Sequence, residues 1–246
     1  MTNARPPERT ARALRQIVIL GTGGNCIDIL DTIDEINATC PTRDGFMGYE
    51  CLGFLDDNRE SWGKEICRLK VLGPLGAAVE FPEARFVNGI GSQFTFTRKD
   101  AIIAKTGLRP ERFETIVHPT ASVSRMSTLG AGTVILQNVT VTSNVRIGDH
   151  VIVLPNTVIS HDCVVGDYTC IAGGVCVSGG VKIGRNCYLG TNSSIIEQVT
   201  IGDYSLVGMG SVVLRDVAAD SVVVGNPSRF LRYTRGGATS AAAAQA

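Results

Sequence analysis

Residues 152–168 read IVLPNTVISHDCVVGDY, an aliphatic run interrupted by His161 and Asp162 in a chain with only three histidines. Imidazole is the side chain best suited to moving a proton near neutral pH. A neighbouring carboxylate can orient the ring and stabilise its charged form, so the pair reads as a general base with a partner. Two other stretches carry reactive or binding groups. Gly21-Thr22-Gly23-Gly24-Asn25 follows an apolar segment and opens a helical one, an arrangement in which backbone N–H groups receive phosphate. Asp56 and Asp57 end the next apolar segment, where a ribose or base is contacted in dinucleotide-type folds. The glycines lack the full GxGxxG spacing, so the stretch is no NAD fingerprint.

Composition limits what can hold these groups. The 246 residues include 23 Lys plus Arg and 23 Asp plus Glu. A net charge of zero gives no electrostatic basis for binding nucleic acid or an anionic membrane. No apolar run reaches the length of a membrane-spanning helix. The basic N-terminus has no apolar signal core. Residues 1–15 are expected to be a disordered leader, and the low-complexity end TRGGATSAAAAQA a disordered tail. Eight scattered cysteines without CxxC spacing read as free thiols of a reducing cytoplasm, and no metal is expected.

A repeat supplies the scaffold. Stepping by six from Val123 to Val213 meets an aliphatic residue every time, and two places before each stands a small or β-branched one, from Ala121 to Ser211. A helix would scatter such positions around its circumference, whereas a short strand with a turn every six residues keeps both inside. Glycines recur eighteen apart at 130, 148, 166, 184 and 202. Three hexads therefore make one triangular coil. These glycines are expected at one corner, in backbone of positive φ. The sum is a parallel β-helix of about five coils over residues 119–216, with His161 at a corner where side chains reach outward.

The region before it alternates strand and helix patterns. IVILGTGGN is a strand and turn, CIDILDTIDEIN a helix with Ile27, Leu30, Ile33 and Ile36 on one face, and YECLGFLDDN a second strand. A helix near 74–80, a strand in ARFVNGIG, a helix in RKDAIIAKTG and a short strand in FETIV follow. This predicts a small Rossmann-like parallel sheet flanked by helices on both sides.

GTGG, FLDD, then VHPTASV, then unbroken hexads closing on VVVGNPSR: from residue 16 to about 232 the chain resembles the sugar-nucleotide acetyltransferases of the sialic acid O-acetyltransferase group, which includes bacillosamine and perosamine N-acetyltransferases. The resemblance implies a nucleotide-sugar-binding domain at 16–117, a left-handed β-helix at 118–216, and a C-terminal segment and tail at 217–246. The handedness rests on the resemblance, since the usual crossover rule gives the opposite sense. It also implies a homotrimer with sites between subunits, acetyl-CoA as co-substrate, and a nucleotide-linked amino sugar as acceptor. His161 becomes the base, Asp162 its partner (some relatives have glutamate), and Gly179, one coil on, the N–H that receives the oxyanion. Gly179, Thr191, Gly208, Met209, Asn226, Pro227 and Arg229 become coenzyme contacts, with Arg229 or Arg232 toward phosphate. Gly21–Asn25, Asp56 and Asp57 become the nucleotide-sugar contacts.

Several relatives have a histidine where Cys170 stands, which puts one coenzyme contact in question. His118 is expected to be structural and His150 solvated at a turn. Cys163 and Cys170 are the cysteines nearest His161 to consider as acyl carriers. The leading expectation is an N-acetyltransferase working by direct attack in a ternary complex, in the assembly of a surface glycan. The alternatives are O-acetylation of a sialic-acid-type sugar and, in another class, a non-catalytic nucleotide-sugar scaffold.

Overall fold

The computed structural model describes residues 14–39 and 48–235. The expected leader and tail lie outside the described residues except at their inner ends, as does Cys40. Arg15, placed in the leader by sequence, instead opens the first strand, β1 (Arg15–Leu20).

Helix α1 (Gly24–Thr39), β2 (Tyr49–Leu55), β3 (Glu65–Ile66), β4 (Leu69–Gly73), β5 (Arg85–Asn88) and α2 (Lys99–Ala104) complete the first region. The sheet order is β3-β4-β2-β1-β5, with β1 parallel to β2 and β5, and β3 antiparallel to β4. Alternation along β1 divides its side chains between two layers. Ile17 and Ile19 pack on α1, while Val18 and Leu20 pack with Leu55, Phe86 and Ile103. The buried face of α1 uses Cys26, Ile29, Leu30, Ile33 and Ile36, so Ile29 takes the place expected for Ile27. The segment near 74–80 is a 3-10 helix, Leu75–Glu80. The β3–β4 hairpin went unseen in the sequence, β3 being only two residues long. Register sets the functional end of the sheet. Leu20 lies opposite both Leu55 and Asn88, so the loops after β1, β2 and β5 open at one edge, the place where such sheets bind ligands.

From Ile116 onward the chain coils. Two-residue strands stack eighteen apart into three parallel sheets, giving five complete coils and two strands of a sixth. The first rung, Ile116–Val117, pairs with Val134–Ile135, so this strand of the FETIV segment belongs to the coil and not to the nucleotide-type sheet. The predicted inward residues form one continuous core, from Ile135 through Ile159, Val177 and Ile195 to Val213. Burying each contributes about 1.5–3 kcal/mol. Three inward hydroxyls are satisfied up the stack: Thr133, Thr157 and Thr169 each donate to a carbonyl fifteen residues on, as most buried polar groups do.

The corner glycines are where the expectation fails. Positive φ, between +49° and +70°, falls at every sixth residue from Gly132 to Gly210. None of Gly130, Gly148, Gly166, Gly184 or Gly202 is among those residues. These glycines answer to close approach instead. A β-carbon on Gly130 would lie 2.4 Å from Asp149 Oδ1, and one on Gly148 2.2 Å from Asp167 Oδ1. Those aspartates bond the backbone N–H groups of Ala131 and Asp149 one coil back.

The prism has three faces. The docking face carries the strands beginning at 116, 134, 152, 170 and 188, the second face those at 122, 140, 158, 176 and 194, and the third face those at 128, 146, 164, 182 and 200. Outward side chains of the docking face, Ile116, Val134, Ile152 and Cys170, are buried against Ile29, Leu30 and Ile33 of α1. The first region therefore sits on one face and leaves the opposite edge open.

Candidate active site

His161 and Asp162 form a turn on the edge between the second and third faces, opposite the docking face. Asp162 has φ +61°, which a short polar residue tolerates. Its Oδ2 lies 2.8 Å from His161 Nδ1, and Asn144, one coil earlier, donates its amide to Oδ1 at 2.5 Å. The Asn144 amide, and after it the imidazole, hold the Asp162 carboxyl below the usual carboxylate range. Nδ1 is thus engaged, and the His161 side chain is 64% exposed.

Gly179 lies directly beneath. A β-carbon there would stand 2.7 Å from His161 Cε1 and 2.8 Å from Nε2, so the ring rests on a surface only glycine leaves free. Gly180 N–H and Gly179 C=O are spent on the ladder, to His161 and from Gln198, while Gly179 N–H takes no part in it. An exposed imidazole, the carboxylate bonded to it and a glycine whose N–H the ladder does not use are thus neighbours on this edge. Asn144 was missed in the sequence, although its spacing of eighteen from Asp162 was the available signal.

The predicted coenzyme contacts lie elsewhere on the protomer. Thr191, Gly208 and Met209 are on the edge between the docking and second faces, with Asn226, Pro227 and Arg229 beyond it. Apart from the half-buried Gly208 these residues are exposed, a run of small and neutral groups ending in an arginine. One protomer does not bring them to His161. Arg232 is exposed on the last strand, Arg229–Tyr233.

The other predicted cluster does assemble. Gly21, Thr22, Gly23, Gly24, Asn25 and Asp56 line a cleft of about 290 Å³, closed on its far side by residues 89–92 and Thr95. Thr22 Oγ1 donates to Asp56 Oδ2 at 2.8 Å, and Asn25 Nδ2 to the Gly91 carbonyl at 2.8 Å. Gly21 is required by the turn, having φ +98° and Ile90 2.8 Å from where its β-carbon would be. Gly23 and Gly24 have nothing within 4 Å of that point, so packing does not explain them and the space before α1 is open. Asp57 is outside the cleft, paired with Lys105 at 2.6 Å and accepting from Leu75 N–H.

The remaining histidines differ from each other. His118 is buried, its Nδ1 2.9 Å from Thr120 Oγ1. His150, expected in solvent, is instead 4% exposed. It stacks on Tyr168 at 5.2 Å and meets Phe113 edge-on at 4.4 Å. Phe113 approaches from the first region, whose contact the local sequence of the turn did not reveal. Burial, and then the Lys99 charge, push the His150 pKa down to about 4. Cys163 and Cys170 are both buried, Cys163 donating to the Ser178 carbonyl, so neither offers a thiol to an acyl donor. Among the described residues there is no group of three His, Cys, Asp or Glu side chains placed to hold a metal ion, and no helix long and apolar enough to cross a membrane.

Comparison with known proteins agrees with this architecture. Residues 126–161, 144–179 and 180–215 match the bacterial transferase hexapeptide (six repeats) family. No curated protein matches the chain by sequence. Among solved structures, PerB from Caulobacter crescentus, in complex with CoA and GDP-perosamine, is 25% identical with a TM-score of 0.73, the match covering 89% of this chain and 99% of that one. The acetyltransferase domain of PglB from Neisseria gonorrhoeae, in complex with acetyl coenzyme A, is 24% identical with a TM-score of 0.74, covering 89% and 100%. WeeI from Acinetobacter baumannii is 24% identical with a TM-score of 0.71, covering 88% and 100%. The chain carries the transferase hexapeptide repeat and has the fold of the sugar-nucleotide acetyltransferase group, a small α/β domain docked on a left-handed parallel β-helix.

Proposed function

We propose that the chain is an acetyl-CoA-dependent N-acetyltransferase whose acceptor is the amine of a nucleotide-linked amino sugar. The observation that carries this reading is an exposed imidazole, its Nδ1 held by Asp162, stacked over Gly179 on an uncovered edge. His161 Nε2 removes a proton from the sugar amine as its nitrogen attacks the thioester carbonyl. Gly179 N–H receives the oxyanion of the tetrahedral intermediate. Collapse of that intermediate breaks the C–S bond and releases CoA, the proton passing to the thiolate. No acyl-enzyme is involved, in keeping with the burial of Cys163 and Cys170. The open cleft at Gly21–Asn25 and Asp56 takes the nucleotide, whose phosphates meet the start of α1.

Coenzyme A lies along the exposed edge of Thr191, Gly208, Met209 and Asn226, with Arg229 toward its phosphates. Because the nucleotide-type domain covers the face opposite His161, one subunit's sugar reaches the histidine of another. That arrangement supports a homotrimer with shared sites, acting in the cytoplasm where acetyl-CoA is available. The test is thiol release from acetyl-CoA across a panel of amino- and hydroxy-sugar nucleotides. Release with an amino-sugar nucleotide, lost in His161→Ala, is the expected outcome. Turnover only with a hydroxy sugar would make it an O-acetyltransferase, and binding without release a scaffold.

A further inference from the structure

Lys99, the first residue of α2, is fully buried. Its Nζ donates to the His150 carbonyl at 2.6 Å and lies 3.4 Å from Cys170 Sγ. Among the described residues no carboxylate pairs with it; burial pushes its pKa down, and the contact with Cys170 acts in the opposite direction. Lysines are almost never buried without a partner of opposite charge, because the unpaired ion loses its hydration for nothing in return. This ammonium lies directly behind the cleft wall. A β-carbon on Gly91 would be 3.6 Å from Nζ, and Gly91 lines the cleft while accepting from Asn25 at the start of α1. A single layer of backbone therefore separates the charge from the ligand space. The residues lining that space include no lysine or arginine, and their one ionisable acid is Asp56.

We propose that Lys99 is the cationic wall of this cleft, a positioning residue whose ammonium is the counter-charge for the diphosphate of the bound nucleotide sugar. The proposal rests on the nucleotide-sugar reading and adds to it the source of positive charge that the lining lacks. A charge held in a low-dielectric layer acts on an anion across it more strongly than an exposed lysine does, and salt screens it less. Being already ordered, it loses no side-chain freedom when the ligand arrives.

The experiment titrates wild type, Lys99→Met and Lys99→Gln with UDP, GDP and dTDP, and with uridine, guanosine and thymidine. Whichever diphosphate binds wild type is expected to weaken at least tenfold in Lys99→Met, while the matching nucleoside changes less than twofold. Lys99→Gln keeps a donor for the His150 carbonyl and is expected to behave like Lys99→Met. Ligand-free Lys99→Met is expected to melt no lower than wild type, since it removes an uncompensated buried charge. Equal losses for nucleoside and diphosphate, or wild-type diphosphate affinity in either variant, would overturn the proposal in favour of a structural lysine. If wild type binds no nucleoside diphosphate, the nucleotide-sugar reading itself fails and this inference falls with it.

Discussion

His150 and His161 stand eleven residues apart on neighbouring edges of the same prism, both in turns of the same repeat. One is enclosed by Phe113 and Tyr168 with its pKa pushed down to about 4; the other is 64% exposed and braced by a carboxylate. The repeat treats them alike. What separates them is the first region, which covers the edge of His150 and leaves the edge of His161 bare. On this β-helix, a corner histidine's exposure is thus set by what docks beside it, and the coil itself supplies only addresses.

That contrast can be broken by substitution. His161→Ala should lower acetyl transfer by about a thousandfold, within the usual range for loss of a general base, and leave the melting temperature unchanged; a steady-state thiol assay beside a thermal scan measures both. His150→Ala should do the reverse. Loss of the aromatic stack, at a position of φ +55°, should cost about 3 kcal/mol of stability, read from urea unfolding, with kcat of the folded fraction retained. If His150→Ala removed activity without destabilising the chain, the assignment of roles would be wrong.

Acidification sharpens the same distinction. The unfolded chain protonates His150 near its ordinary value of 6.5, whereas the folded chain resists until about 4. Between those values the unfolded state binds more protons, so stability falls as the pH drops from 6.5 toward 4. The total loss is about 3 kcal/mol, and His150→Asn should lack that limb. Gly179→Ala tests the surface under the His161 ring. Its backbone is not in the positive-φ region, so the one severe contact is with the His161 imidazole. A fall in kcat of about 30-fold is expected with little change in stability, the ring being displaced from its place. The smallest effect should come from Asp162→Asn, which keeps the tolerated backbone and a contact to Nδ1. A tenfold loss in kcat with unchanged substrate KM would mark an orienting role.

Much of this was legible from the sequence because the repeat is strict. The inward aliphatic ladder, the outward corner at His161 and the glycine one coil beneath it all follow from counting by six and eighteen. The misreadings share one cause. Gly130 and its counterparts were assigned to backbone conformation because their contacts, an aspartate nineteen residues on for Gly130, Gly148 and Gly184, lie on another coil. His150 was placed in solvent because Phe113 and Lys99 reach it from another domain. A usable signal was present. The outward positions of the docking face read Ile116, Val134, Ile152 and Cys170, while those of the second face read Ser122, Thr140, Val158 and Cys176. An apolar series on one outer face announces that something covers it. Lys99 had no such signal, since a lysine in a helix pattern reads as a solvated side chain.

The eighteen-residue rung has a consequence for how such a chain can change length. Losing one whole rung below residue 188 shortens the stack but returns every later residue to the edge it occupied before. Losing a single hexad rotates everything downstream by a third of a turn and carries each side chain to a different edge. Lineages of this fold are therefore free to grow or shrink in steps of eighteen, while an indel of six near residues 161–179 separates the histidine from its glycine floor even though every aliphatic residue still points inward. Such a variant would fold as a sound prism with its chemistry dismantled.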